Sequence, residues 1–544
     1  MANYTKMIAT PVTYLWYRMT YTFYAHLIHW VYFTSIMITF FSPQSQNKFT
    51  APTLTFFNTE TRALEPFTTL YGHKVLMYSC GPTVYDYAHI GNLRAYVFVD
   101  ILKRTLEYNN YQVKNTINLT DFGHLTDDAD AGEDKMMKGL KREGKPVTLA
   151  AMRELSDFFI DAFYEDLGSL RILPPATFAR ASDYISEQIA LIKTLEEKGY
   201  TYETSDGLYF DISKFPTYGR LGKINLNELK SGARVEENSE KKNQADFAVW
   251  KKGELGWDSR WGKGFPGWHV ECSAMAVATL GKQIDIHTGG IDHIHTHHNA
   301  EIAQSESVTG KMFARYWMHN EFITIDSTKI SKSIGNTINL RHLLEAGYSG
   351  DDYRYWLLTA HYRSPANFSF EALKAAKQAL FRLKRHIYED YKNISGKPAA
   401  SYINRFHAAI NDDLDTPKAI ALAWELIKDD LIPNESKCAT IKHFDKVLAI
   451  GLSDNIDDAL FTLGVIPVDD IPQEINQLIN DREAARIARN WEESDRLRAQ
   501  INLKGYTIED GSDGPKVSKL KLKNRAVPME PPVFSYTINI YGWS

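Results

Sequence analysis

From Thr53 onward the apolar positions fall into alternating strand-like and helix-like runs. Val75–Cys80 is a short apolar run of the kind that forms a strand buried on both faces. The turn-rich Gly81-Pro82-Thr83 and then His89-Ile90-Gly91-Asn92 follow it. Leu93, Tyr96, Val97, Asp100, Ile101 and Leu106 recur near helical spacing up to Asn109-Asn110, and Gln112–Thr120 alternates as a second strand. Strand, glycine turn, helix and strand make one βαβ unit. The prediction is an α/β protein built on a doubly wound parallel, Rossmann-type sheet.

The pattern also divides the chain. Residues 51–144 and 246–350 read as two halves of that sheet, with Gly281–Ile286, Thr296–Ser307 and Phe322–Asp326 returning to strand and helix alternation. Residues 145–245, richer in charged and helix-forming residues, read as an inserted connective domain. Residues 351–470 are mostly helical and predict a bundle. Residues 471–524 open with one charged helix, Glu474–Lys504, followed by a basic run at Lys516, Lys519, Lys521 and Lys523 that continues to Arg525; residues 525–544 read as an extension.

Residues 1–50 differ from all of this. No Asp, Glu, Lys or Arg occurs from Met19 to Asn47. That length would cross a bilayer, with Lys6 and Arg18 on the cytoplasmic side. The aromatic and Thr-rich interior, with His26 and His29, weakens that reading. A membrane anchor, a non-native extension from an upstream start and a packed appendage all stay open, and membrane contact through residues 19–41 is not favoured.

Composition adds limits. At 544 residues the chain is long enough for several domains, and 44% hydrophobic against 24% charged residues is an ordinary globular balance. A net charge of −5 excludes a globally basic nucleic-acid binder, so any such surface is a local patch. Cys80, Cys272 and Cys438 are too few and too scattered for a secreted disulfide framework. A cytoplasmic monomer is expected.

Two short segments carry the candidate chemistry. His89-Ile90-Gly91-Asn92 lies between a strand and a helix, where free backbone N–H groups and the helix dipole favour phosphate. Gly91 lets a nucleotide approach the backbone. Alone, this segment reads first as a plain strand-to-helix turn with a capping Asn. Lys329-Ile330-Ser331-Lys332-Ser333 alone is a solvated cationic loop. Together, in this order, they resemble the two signature motifs of class I aminoacyl-tRNA synthetases. The resemblance implies ATP held by His89, Gly91 and Asn92, with Lys329, Lys332 and Mg²⁺ offsetting charge as a carboxylate attacks the α-phosphorus. Asn92 stands where that family usually has a second His.

A metal constellation is the other candidate. Cys80 ends the first strand, Cys272 lies in Gly267–Met275, and His297 and Glu301 are spaced i, i+4 on one helical face. Two thiolates, an imidazole and a carboxylate are acceptable Zn²⁺ ligands, with His287, His293, His295 and His298 as rivals. Tyr78–Asp86, Gly267–Met275, His297–Glu301, Gly232–Val235, Asp246–Lys251 and Trp317–His319 are similar to segments of the cysteinyl-tRNA synthetase family, a likeness running from about Thr53 to Leu520.

That resemblance implies one Zn²⁺ on Cys80, Cys272, His297 and Glu301 that binds the substrate thiol. It implies a pocket walled by Trp268, with Thr120 near the amino acid and Gly289, Gly290 and Asp292 facing adenosine. It also implies ATP, L-cysteine and tRNA(Cys) as partners, an acceptor-stem contact in the insertion, and an anticodon-binding domain using Arg486, Trp491 and Asp495. A metal can separate cysteine from serine where pocket size alone gives only about 10²-fold. The acidic run Asp127–Asp134 lacks a full Ca²⁺-loop pattern and reads as a solvated loop.

Two rivals remain. One is a related ligase joining cysteine to an amino sugar, disfavoured by Thr83-Val84-Tyr85-Asp86 and by the anticodon-like domain; the other is a silent RNA-binding paralogue.

Overall fold

The computed structural model describes residues 52–123, 135–224, 240–325, 328–329, 337–391, 394, 396–454, 471–511 and 514–519. The amino-terminal extension, the acidic run 127–134, the Gly232–Val235 segment, Lys332, and residues 521–544 lie outside them, as does the side chain of Lys329. Among the described residues no helix is long and apolar enough to cross a membrane.

The chain begins with an antiparallel pair, β1 (Thr55–Asn58) and β2 (Ala63–Pro66). The expected unit follows as β3 (Lys74–Ser79), α1 (Ile90–Tyr108) and β4 (Gln112–Leu119). Side chains of β3 divide by the two-residue period of a strand. Val75 and Met77 pack into one hydrophobic cluster and Leu76 and Tyr78 into another on the opposite face. Asn109 caps the end of α1, and Asn110 turns the chain with a left-handed φ of 64°.

Next come α2 (Lys135–Arg142), α3 (Leu149–Ser169), β5 (Thr177–Arg180) and α4 (Ile185–Glu197). The strands β6 (Thr201–Thr204), β7 (Gly207–Phe210), β8 (Phe247–Trp257) and β9 (Gly264–Pro266) make a separate antiparallel sheet in that order. The chain then returns through α5 (Trp268–Leu280), β10 (Ile284–Gly290), α6 (His297–Thr309) and β11 (Ala314–Asn320).

The central sheet runs β11-β10-β3-β4-β5, and every neighbouring pair is parallel. This is the expected doubly wound sheet, with its switch point between β3 and β10. The insertion differs from its expected bounds. β5 lies inside residues 145–245 yet pairs with β4 in the central sheet, and the inserted sheet runs on to Pro266. Four strand residues are too short a run to show a period, so β5 was hidden among helical signals.

β12 (Ile323–Ile325) and β13 (Thr328–Lys329) form a hairpin, after which come α7 (Leu340–Glu345), α8 (Gly350–Leu358), β14 (Ala366–Phe368), α9 (Phe370–Arg385), α10 (Ala400–Asn411), α11 (Thr416–Lys428) and α12 (Asn434–Leu448). The helical region is locked to the sheet by Arg354 of α8. Fully buried, it donates to Asp100 of α1 at 2.5 Å and to the carbonyls of Leu170 and Leu448.

The carboxyl-terminal unit comprises α13 (Gln473–Ile487), α14 (Trp491–Leu503) and the hairpin β15 (Tyr506–Gly511) with β16 (Gly514–Lys519), around a core of Ile475, Ile479, Ile501 and Val517. The single helix expected over Glu474–Lys504 is therefore two. Arg489 adopts a left-handed φ of 57°, and the Asn490 side chain accepts from the Glu493 N–H to cap the second helix.

Candidate active site and metal cage

At the carboxyl ends of β3 and β10 lies a cleft of about 860 Å³, where the switch-point rule places a ligand. Its position follows from local packing. The Cys80 N–H donates to Thr288 O at 3.0 Å, prolonging the ladder between the two strands. Gly81 then passes so close to β4 that a Cβ would fall 1.6 Å from Asn118 O. Only glycine fits there. Its N–H donates to the Asn118 side chain at 2.7 Å, and Val84 N–H to Thr120 O at 3.0 Å.

His89, Gly91 and Asn92 line the cleft at the start of α1. His89 is the N-cap: Asn92 N–H donates to His89 Nδ1 at 3.1 Å, and the His89 N–H to Asn92 Oδ1 at 3.3 Å. The departure at Asn92 thus has a structural account: its side chain accepts from the His89 N–H and closes a reciprocal cap, while its backbone N–H holds the imidazole. Ile338 and Asn339, farther along the chain, come to the same place. Ile90 N–H donates to Ile338 O at 2.8 Å, and His89 pairs with Asn339 across an antiparallel bridge. The backbone of Lys329 sits on β13 opposite Thr324.

Cys80, Cys272, His297 and Glu301 come together from β3, α5 and α6, with one donor atom of each within 4.8 Å of every other and all four buried. A second group, Cys80, His287, His298 and Glu301, meets the same distance test; His295 joins neither. Access decides between them. Cys80, Cys272 and His297 line the cleft, whereas His287 and His298 are 0% exposed and do not. Among the described residues the first group opens on the cleft through three of its donors, the second through Cys80 alone.

The second group's histidines do a different job. His287 Nε2 donates to Glu301 Oε2 at 2.8 Å, leaving Oε1 3.1 Å from His297 Nε2. His269 Nδ1 and His297 Nδ1 are 2.8 Å apart. His298 Nε2 stands 3.3 Å from Cys80 Sγ, its Nδ1 2.8 Å from His319 Nε2, and His319 Nδ1 2.8 Å from Thr59 Oγ1. Partners of this kind fix the orientation and basicity of metal ligands.

Electrostatics agree with a cation site. Burial alone would raise the Glu301 carboxyl, but His287 and His297 hold it down at about 2. Burial would lower His297, yet Glu301 and Cys272 raise it to about 10. Burial, then Cys272, pushes the Cys80 thiol up, while Cys272, bonded by Cys80 and facing His297, falls to about 6. The Glu301 carboxylate and the acidified Cys272 thiol are two buried anionic donors, and a bound cation would offset them. Two sulfurs, an imidazole and a carboxylate fit zinc.

The remaining expected residues divide. Trp268 opens α5, lines the cleft and stacks on His297 at 4.4 Å. Gly290 and Asp292 also line the cleft. Gly289 does not; a Cβ there would meet His298 at 2.7 Å and His293 at 2.8 Å, so its bareness serves the histidine packing. Thr120 is buried and donates to Glu271 at 2.8 Å, also off the cleft wall. Its service to the site is to hold the 82–84 loop. In the carboxyl-terminal unit, Arg486 joins Arg482 and Arg498 on Asp510, Trp491 is 60% exposed, and Asp495 is exposed.

Several cleft residues escaped the sequence reading. Lys135, Lys138 and Arg142 line one wall at i, i+3 and i+7, a helical face that spacing alone could have revealed. Arg142 is held by Asp86 at 3.0 Å, and Lys135 Nζ lies 5.9 Å from the Trp268 ring.

Comparison with known proteins agrees. The family profile described as "tRNA synthetases class I (C) catalytic domain" matches residues 66–378, and that of the "Cysteinyl-tRNA ligase anticodon binding domain" matches residues 468–516. The chain is 44% identical over 471 residues to cysteine–tRNA ligase 1 of Burkholderia lata, covering 85% of this chain and 96% of that one. The chain belongs to the cysteine–tRNA ligase family. A cysteine–tRNA ligase of Treponema denticola is 42% identical over 483 residues, covering 83% and 97% of the two chains. Among solved structures, a methionyl-tRNA synthetase of Mycobacterium tuberculosis in complex with methionyl-adenylate shares the fold. It has a TM-score of 0.50 at 16% identity, over 73% of this chain and 95% of that one. Family membership accounts for one cleft that joins the His89–Asn92 turn to a buried cluster of Cys, His and Glu.

Proposed function

We propose that this protein activates L-cysteine with ATP and transfers it to the 3′ end of tRNA(Cys). The observation that carries this reading is the Cys80–Cys272–His297–Glu301 cage opening into the cleft that His89 and Asn92 line. In the first step the cysteine carboxylate attacks the α-phosphorus and pyrophosphate leaves. In the second, a terminal ribose hydroxyl attacks the acyl carbon and AMP leaves. Zinc held by the four donors, one ion per chain, would bind the substrate thiol and reject the harder, more weakly held hydroxyl of serine.

The protein's own groups do the positioning. His89, fixed by Asn92, and the first N–H groups of α1 hold phosphate oxygens. Lys329 and Lys332 offset charge on the departing pyrophosphate, and Mg²⁺ accompanies ATP. Lys135, beside Trp268, supplies positive charge where two anions must meet. Asp292 and Gly290 face the adenosine side. Arg486, Trp491 and Asp495 serve the anticodon, with the exposed Trp491 ring free to stack on a base. The setting is cytoplasmic, where ATP and tRNA are available.

The test is pyrophosphate exchange into ATP with cysteine and with serine, followed by charging of tRNA(Cys) and metal analysis. Cysteine-dependent exchange, charging and one zinc per chain are expected. Exchange without charging would favour the amino-sugar ligase, and no exchange a silent RNA-binding protein.

A further inference from the structure

Tyr78 is a buried polar group that the catalytic reading leaves unused. It lies two residues before Cys80 in the extended chain, so both side chains point to one face of the sheet. On that face they share a hydrophobic cluster with Cys272. The Tyr78 side chain is 0% exposed, and its hydroxyl has no hydrogen-bond partner among the described residues. Its charged neighbours are Cys272, Cys80 and Glu301, three of the four cage donors. A buried hydroxyl left unpaired is costly, so an acceptor is expected.

The cage supplies that acceptor. Zinc on two thiolates, a carboxylate and a neutral imidazole carries a net charge of −1, and a substrate thiolate makes it more negative. Buried sulfur anions of this kind need donors. One tautomer assignment satisfies the Cys80 side: Thr59 O–H donates to His319 Nδ1, His319 Nε2–H to His298 Nδ1, and His298 Nε2–H to Cys80 Sγ. Cys272 has Cys80 and His297 beside it, both of the cage. Tyr78 is the buried O–H beside it.

We infer that the Tyr78 hydroxyl donates to the Cys272 thiolate and is thereby a positioning residue of the metal cage. The donation draws charge from the sulfur, so the ion keeps enough Lewis acidity to accept the substrate thiol. The competing acceptor is His287 Nδ1, also unpartnered, whose ring lies 5.3 Å from the Tyr78 ring. A bond there would leave the sulfur unaffected.

This inference rests on the zinc reading, and the experiment separates the two. Zinc affinity of the full-length protein is measured by competition with a chromophoric chelator, and the sulfur-to-metal charge-transfer band is recorded after cobalt substitution. Tyr78→Phe, which removes only the hydroxyl, is expected to weaken zinc binding about tenfold and to move the band to lower energy. Site-specific 3-fluorotyrosine at position 78, a stronger donor, is expected to move it to higher energy. Opposite shifts are not produced by altered packing alone, and the fluorinated protein carries the test should Tyr78→Phe fail to fold. A band unmoved by either substitution overturns the inference and leaves the zinc reading intact. A wild-type protein that takes up no zinc overturns both.

Discussion

Ile90 and Ile338 are joined backbone to backbone, the N–H of the first donating to the carbonyl of the second at 2.8 Å. That bond ties the first turn of α1 to the end of the segment that carries the lysine loop. Beside it, two reciprocal caps face one another across the His89–Asn339 bridge: His89 with Asn92, and Asn339 with His342. The His89 end of the cleft is thus a junction of two helix starts, each fixed by its own side chains.

The second cap predicts what residue 92 tolerates. At the same position of its helix His342 accepts from the Asn339 N–H through Nδ1 at 3.3 Å, as Asn92 does for His89. Asn92→His should therefore keep the cap, with cysteine-dependent pyrophosphate exchange within about tenfold of wild type. Asn92→Ala loses the acceptor for the His89 N–H, at about 1 kcal/mol of stability, and loosens the backbone turn that carries the His89 ring. Exchange should fall by more than tenfold; equal activity of the two variants would remove residue 92 from phosphate positioning.

Cys272 bears on selectivity. Cys272→Ser replaces a soft ligand by a hydroxyl in a cage whose other donors remain, so bound zinc should drop well below one per chain. Cysteine-over-serine discrimination should fall towards the roughly 10²-fold limit of pocket shape. A variant that keeps a full equivalent of zinc would show that Cys272 is not a ligand.

Stability should depend on pH through Asp166 of α3. Burial, opposed by Arg341 and aided by Glu165, raises its carboxyl from 3.8 to about 7. The folded state therefore holds a proton that the unfolded state has already lost. This contribution is fully present below about pH 4 and is lost as pH rises through about 7. Asp166→Asn should raise stability at pH 8 by about 1–2 kcal/mol, with the gain fading towards pH 4. Denaturant unfolding at the two pH values measures it, and a pH-independent difference would contradict it.

The first βαβ unit was legible because β3 is a continuous apolar run and α1 has a clean period between a capping turn and Asn109. The four cage donors were legible only through family resemblance, since β3, α5 and α6 are far apart in sequence. Their histidine supports were not, because His287 and His319 reach them from separate strands. Tyr78 was hidden for the opposite reason: in a buried strand a tyrosine reads as core, and its hydroxyl matters only once Cys272 is beside it. The break at Arg489 turned on one left-handed residue inside a strongly helical pattern.

Lys135 gives the last prediction. Adenylation brings a carboxylate up to a triphosphate, and the repulsion must be offset near the carboxylate as well as at the pyrophosphate. With the thiol at the proposed cage, the carboxylate would extend into the cleft that Trp268 and Lys135 line. On the same wall the Lys135 ammonium stands 5.9 Å from the Trp268 ring, and Arg142 lies 3.0 Å from Asp86. Lys135→Ala should raise the KM for cysteine and slow pyrophosphate exchange by roughly 10–100-fold, as loss of about 1.4–2.7 kcal/mol would. Lys135→Arg should recover most of it. Cysteamine, which has the thiol but no carboxylate, should inhibit wild type and Lys135→Ala equally. If cysteamine loses affinity in parallel with cysteine, the lysine acts on the pocket as a whole and the charge argument falls.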